Sequence, residues 1–218
     1  MLDKSVRYYP VEMRRPPVSG PPQGGWPPLP DGGWRLRCWQ GGADRLAFAR
    51  VECEVGEFAR EEEALAYFDR EFGPWPRELE RRFLLLEQEG RPMGVAFAWF
   101  GSVPGEGRVG RVRRVALRPC CQGRGLGGAL VCGMLDVFAA LEPGRAVYLT
   151  TQTWSWRAVA LYGKYGFEPV RLPGDRDFAA AWGVIREKLG QSGRHLPGEA
   201  PGGWDDTETI MRSGRDRT

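Results

Sequence analysis

At 218 residues the chain has room for one domain with a full hydrophobic core plus tails, and a second full domain would crowd it. Lysine and arginine number 31 against 28 aspartates and glutamates, a net charge of +3 that singles out neither a nucleic-acid nor a membrane surface. The five cysteines (Cys38, Cys53, Cys120, Cys121 and Cys132) are odd in number and lack CxxC spacing, which argues against a disulfide framework or a zinc site and fits a reducing cytoplasm.

Residues 15–33 (RPPVSGPPQGGWPPLPDGG) hold neither a helix nor a central strand, because proline removes backbone donors and glycine raises the entropy cost of ordering. Residues 1–33 therefore read as a Pro/Gly-rich extension, a passive arm or a polyproline ligand, with Trp26 and Trp34 favouring docking. The folded region is expected over residues 34–190, opening with a half-buried strand, WRLRCWQ, that Gly41 and Gly42 end. Helices are expected at 43–51 and 60–72. In the second, Ala64, Leu65, Phe68 and Phe72 form one apolar face, and Glu61, Glu62 and Glu63 suit its N-terminus. Residues 83–87 and 94–100 read as an antiparallel pair, with GVAFAWF able to bury both faces.

The strand VGRVRRVAL (109–117) runs almost directly into PCCQGRGLGG and a helix reaching residue 140. A further strand (146–151), a helix (156–165) closed by Gly166, a strand (167–171) and a helix (177–189) follow. Residues 191–218 are polar and glycine-rich and read as a disordered tail. No apolar leader opens the chain, and no stretch approaches the roughly 20 apolar residues that cross a bilayer, so a soluble, unprocessed protein is expected.

Between strand and helix, Gln122-Gly123-Arg124-Gly125-Leu126-Gly127-Gly128 leaves backbone N–H groups free at a helix N-terminus, where the dipole favours an anion such as a pyrophosphate. Glycine lets a phosphate approach the amides, and Arg124 can add charge. Close packing of helix on sheet is the alternative use of such glycines. Gly123, Gly125 and Gly128 also satisfy G-x-G-x-x-G, but the acidic residue that a dinucleotide site carries about 20 residues on is missing, which leaves dinucleotide binding a distant third reading.

The segments VRRVALRPCCQGRGLGGALV and ALYGKYGF resemble the two signature segments of the GNAT superfamily of N-acetyltransferases. Gln122, Gly125 and Gly127 match its Q/R-x-x-G-x-G/A loop, Val115, Ala116 and Leu117 its pantetheine-pairing strand, and Tyr162, Gly166 and Phe167 its helix-ending tyrosine and Gly-Phe pair. The resemblance implies an α/β fold with a mixed sheet of six to seven strands, flanked by helices and splayed between the 109–117 and 146–151 strands to hold acyl-CoA. It implies acetyl-CoA as co-substrate, with no metal, and direct attack by an amine acceptor. Tyr162 is implied as general acid, and Val115, Ala116, Leu117, the Gln122 to Gly128 loop and Ser155 as cofactor contacts. Ser155, seven residues before Tyr162, stands where many members carry asparagine.

No carboxylate lies near Thr150, Thr151, Gln152 and Thr153, so the general base stays unassigned; Glu87, Glu89 and Glu106 are better read as surface residues. Arg108, Arg111, Arg113, Arg114 and Arg118 either greet a cofactor phosphate or form a solvated strand face. Cys120 and Cys121 read as packing residues, since the only histidine, His195, lies far along the chain. The acceptor, a small molecule or a protein, should meet residues near 51–72, where Glu57, Glu61, Glu62 and Glu63 can attract a cation, and residues beyond Arg171. A cytoplasmic monomer or homodimer is expected, and a non-catalytic acyl-CoA sensor is the competing function.

Overall fold

A computed structural model describes residues 2–21 and 25–196. In chain order the strands are β1 (Pro10–Arg15), β2 (Trp34–Cys38), β3 (Phe83–Gln88), β4 (Arg91–Val103), β5 (Gly107–Leu117), β6 (Val147–Gln152) and β7 (Glu168–Pro169). The α-helices are α1 (Gly42–Glu54), α2 (Glu61–Glu71), α3 (Pro76–Arg82), α4 (Leu126–Leu141), α5 (Trp156–Lys164) and α6 (Phe178–Gln191). These elements fall into two units, one built on residues 15–150 and the other on residues 3–14 with the described chain after residue 150. The mixed α/β architecture implied by the sequence is what forms. No helix among the described residues is long and apolar enough to cross a membrane.

In the first unit the strands lie in the order β2-β3-β4-β5-β6. The first four are mutually antiparallel, and β5 and β6 pair in parallel. Strand β3 (FLLLEQ) and the centre of β4 (GVAFAWF) are apolar on both faces because both faces are covered. Phe83, Leu85, Phe97 and Trp99 join Phe48 and Val51 of α1, Ala64 and Phe68 of α2, and Phe72 in one buried cluster. Phe72 stacks on Phe97 at 4.1 Å between ring centroids and 14° between planes. On the opposite face, Leu36 and Leu84 close on Gly133 of α4 so tightly that a Cβ there would overlap Leu36 Cδ2. Side chains alternating at period two thus feed two helical layers from single strands.

Helix α3 has no counterpart in the sequence reading: PRELERR offers Leu79 as its single apolar contact, so no periodic signal exists. Its start is Pro76 at the first turn, where a missing N–H costs nothing. Its end carries Arg82, which is 1 % exposed and donates to Ala98 O at 3.0 Å and to Glu142 at 2.8 Å. Glu142, also 1 % exposed, takes a second cation from Arg108 at 2.7 Å.

In the second unit β1 pairs antiparallel with β7, Met13 opposite Pro169 and Arg14 opposite Glu168. The chain thus enters its fold before Trp34, with Val11 and Met13 buried. Thr153 is the fastener: its hydroxyl donates to Arg7 O at 2.6 Å and accepts from Tyr9 N at 3.0 Å. Asp3 N donates to Trp154 O at 2.8 Å, and Trp156 Nε1 donates to the Asp3 carboxylate at 3.0 Å. Strand β7 is two residues long rather than the five expected, as befits a ladder interrupted by a proline without a donor. Helix α6 runs to Gln191 and Leu196 is buried; the rest of the expected tail, residues 197–218, lies outside the described residues.

Desolvation pushes the Glu142 carboxyl up, but hydrogen bonding to Arg108 and the charges of Arg108 and Arg82 outweigh it and hold the pKa below its ordinary value. A depressed folded pKa means that the stabilisation is present above the ordinary carboxylate pKa and is lost as pH falls through the folded value. Glu142→Gln, which leaves the buried Arg82 with Glu78 as its remaining counter-charge, should cost about 1–3 kcal/mol in urea unfolding at neutral pH. The deficit should shrink as pH falls and the parent carboxylate itself protonates.

Candidate functional site

Strand β5 is irregular at one point. Val95 faces Ala116 and Phe97 faces Arg113, so that Arg114 and Val115 together oppose the single residue Ala96. This is a β-bulge, and it puts Arg114 at φ 49, a left-handed conformation costing about 1–2 kcal/mol in a non-glycine residue. On its other side β5 pairs with β6 through Gly110, Val112 and the residue between them, against Val147–Leu149, and the ladder goes no further. The two strands therefore part company where the bulge begins. Val115 and Leu117 are half-buried beyond that point, and Ala116 is buried.

The segment after β5 makes one turn of 3-10 helix, Pro119–Cys121, and then the glycine loop. Gly123 (φ 77) and Gly125 (φ 80) both adopt left-handed backbone, and Gly125 is the N-cap of α4 with no side chain capping the first turn. A Cβ built on either glycine meets nothing within 4 Å, so the loop is open on the side its missing side chains would occupy. Leu126 and Gly128 are buried and Gly127 half-buried in the first turn of α4, which fixes the helix against the sheet while its leading amides stay uncapped. The Gln122 side chain turns back, Nε2 donating to Leu117 O at 2.8 Å, and so ties the loop to the end of β5. Arg124 is exposed, its guanidinium 5.7 Å from the Trp34 ring centroid. Cys120 and Cys121 stand with sulfurs 3.6 Å apart, and burial, reinforced by Cys120, pushes the Cys121 thiol up to about 11, away from thiolate chemistry.

Ser155 and Tyr162 belong to the second unit. Ser155 is half-buried at the N-cap of α5, and its hydroxyl does not cap the helix. Tyr162 is 6 % exposed and packs edge-on to Phe167 at 5.8 Å. Burial raises its phenol well above the ordinary value, so it is fully protonated at neutral pH and is chemically a proton donor.

The arginines of β5, and Arg118 just beyond it, face protein partners. Arg108 holds Glu142; Arg113 donates to the Tyr67 hydroxyl at 3.0 Å; Arg118 pairs with Glu54 at 3.2 Å. Glu87 is buried between Arg35 and Arg37, Glu106 accepts from the Tyr148 hydroxyl, and Glu89 sits at a hairpin tip with φ 48. Glu87 is not the surface residue the sequence suggests, since it is buried and its charge neutralises two arginines, whereas Glu89 and Glu106 are exposed. Arg114 lies between the rings of Phe58 and Tyr67, 4.6 Å from each centroid, and reaches Glu57 at 3.4 Å and Glu52 at 3.5 Å. Glu52 escapes sequence reasoning: in RVECEV it looks like an ordinary wet position, and only the packing of α1 on the sheet shows it to be buried.

Residues 46–167 match the family model described as the Acetyltransferase (GNAT) family. A mycothiol acetyltransferase of Salinispora tropica is 29 % identical over 159 residues, covering 72 % of this chain and 50 % of that protein. One from Amycolatopsis mediterranei is 33 % identical over 157 residues, covering 65 % and 49 %. The chain thus spans about half the length of the curated relatives it matches. Among solved structures, a GCN5-related N-acetyltransferase from Sphaerobacter thermophilus superposes with a TM-score of 0.55 at 23 % identity, over 76 % of this chain and 49 % of that one. A protein of Pyrococcus horikoshii gives 0.53 at 18 % identity, over 64 % and 91 %. Both likenesses are of fold.

Gly125→Ala should cost about 1 kcal/mol through backbone strain alone, since its methyl group has room, and should lower the melting temperature by about 3 °C in calorimetry.

Proposed function

The chain belongs to the GNAT family of acetyltransferases, and from that premise we propose that it passes an acetyl group from acetyl-CoA directly to an amine. The observation that carries this reading is the conjunction at the end of β5: a ladder with β6 that stops at Val112 and, after the last residues of β5 and one 3-10 turn, an uncapped helix N-terminus behind two left-handed glycines. The first suits an extended chain of amides lying along Val115, Ala116 and Leu117, as pantetheine is. The second suits a pyrophosphate, with the amides of residues 123–127 as donors and Arg124 as added charge, that of Gly128 already donating to Gly125 O at 2.9 Å.

Chemically, the amine nitrogen attacks the thioester carbonyl, the carbon–sulfur bond breaks, and the sulfur leaves as a thiolate. Tyr162 supplies a proton or a hydrogen bond for that thiolate, its phenol being protonated at neutral pH. Ser155 supplies a hydroxyl for a cofactor hydrogen bond. Catalysis then rests on positioning and proton transfer, with no acyl-enzyme, which agrees with a Cys121 thiol kept out of its nucleophilic form. The names of the two curated relatives favour a small-molecule acceptor over a protein one and make mycothiol chemistry the first acceptor class to try.

Acetyl-CoA at about 100 times its dissociation constant should add about 2.7 kcal/mol of stability and raise the melting temperature by about 5 °C or more, with NAD having no effect. An equal rise with NAD, or none with either, overturns the assignment. Tyr162→Phe should keep the acetyl-CoA shift yet slow thiol release in the presence of amines by about 10²-fold. A sensor without catalysis would show the shift and release no thiol in the parent either.

A further inference from the structure

Glu52, at the C-terminal end of α1, is 1 % exposed, and both of its carboxylate oxygens lack a hydrogen-bond partner among the described residues. A buried carboxylate left this way costs several kcal/mol unless something satisfies it. The guanidinium of Arg114, 3.5 Å away, is shared with Glu57, Phe58 and Tyr67, and its own Nε is a further buried polar atom without a partner. Three buried polar atoms at the bulge of β5 thus lack hydrogen-bond partners among the described residues, two acceptors from Glu52 and one donor from Arg114. That is the number of partners a buried water molecule takes. The bulge also delivers the chain into Val115, Ala116 and Leu117, the segment assigned above to the acyl donor.

We propose that Glu52 is the proton acceptor of the transfer, taking the proton of the acceptor amine through one water molecule held by its carboxylate and Arg114 Nε. This deepens the acetyl-transfer reading and rests on it. As the nitrogen–carbon bond forms and the carbon–sulfur bond breaks, one amine N–H bond breaks and its proton passes through the water to Glu52. The thiolate takes a proton from the phenol assigned to it, and the resulting carboxylic acid and phenolate return to their starting forms by exchanging one proton through solvent. The charged groups facing Glu52 are Arg114 from β5 and Glu57 from the connection between α1 and α2; Arg118 is occupied with Glu54, and the β4 face beneath is apolar. Burial raises the carboxyl, Arg114 lowers it and Glu57 raises it again, to about 7, where a base both takes and returns a proton at neutral pH.

A purely structural Glu52 would only hold Arg114 in its left-handed conformation. Hydrolysis of acetyl-CoA separates the two roles without knowledge of the acceptor, because water then stands in for the amine and loses its proton to the same group. Thiol release should rise through about pH 7 and level off when followed from about pH 5.5 to about pH 9. Glu52→Gln should lower the plateau by about 10²-fold and abolish the rise, with the acetyl-CoA melting shift unchanged; Glu52→Asp should restore part of both. Arg114→Gln, which removes the cation and keeps the carboxylate, should move the rise to higher pH, and this arm decides the matter if Glu52→Gln does not fold. Parental rates and the same rise in Glu52→Gln, a rise that Arg114→Gln leaves in place, or acetyl-CoA binding with no thiol release at any pH would each overturn the role of Glu52. Absence of the melting shift in the parent sinks the acetyl-CoA reading itself.

Discussion

Strand β5 satisfies its backbone against β4 along nearly its whole length, from Gly107 to Leu117, yet shares with β6 only the stretch from Gly110 to Val112. The asymmetry is a constraint on everything around it. A strand anchored so firmly on one side can release the other without fraying, and the antiparallel pairing with β4 supplies that anchor. The bulge adds a second consequence, since an extra residue increases local twist and turns the far end of the strand away from its parallel neighbour. Gln122 closes the arrangement by fastening the glycine loop to the last carbonyl of the same strand.

Charge is distributed around this strand in two ways that differ in energy. Arg82, Arg108, Arg145, Glu78 and Glu142 form a compensated group in which the Glu142 carboxylate meets three cations and the buried Arg82 guanidinium meets a second carboxylate and a carbonyl as well. Such a group fixes α3, β4, β5 and the end of α4 in one geometry, and its polar atoms are satisfied. Glu52 and Arg114 are left with atoms unsatisfied, a cost that a fold selected for stability alone has every means to remove by placing an apolar side chain there. The contrast between a filled network and an unfilled one within a single sheet distinguishes framework from chemistry.

The strand, glycine loop and helix from Val109 onward were legible because their signals are local: alternation, then glycines where left-handed backbone is needed, then an apolar helix. Helix α2 was legible through Ala64 and Phe68 at helical spacing. The contribution of residues 3–14 was not. Val11 and Met13 alternate correctly, but two apolar residues are too few to mark a strand, and the bonds that hold the segment come from Thr153 and Trp154, about 145 residues away. The bulge was equally hidden, because an arginine at φ 49 advertises nothing and is kept there by Glu57, Phe58 and Tyr67 from a distant part of the chain. Tyr162 was singled out through a family pattern and the glycine loop through its own glycines and place before a helix; Glu52 belongs to no pattern and emerges from burial alone.

The proline-rich arm illustrates how a stiff chain can be held. Between residues 16 and 30 it carries seven prolines; Val18 is buried, and the indole N–H of Trp26 donates to Asp136 on α4 at 2.6 Å. Beyond it, Gln88 donates to Gly32 O at 3.0 Å. Each proline has already surrendered its freedom about φ in the unfolded chain, so docking forfeits less entropy than it would for an arm of ordinary composition. The arm therefore behaves as a stiff strap, whose hold depends as much on what the detached chain cannot do as on what the attached chain touches.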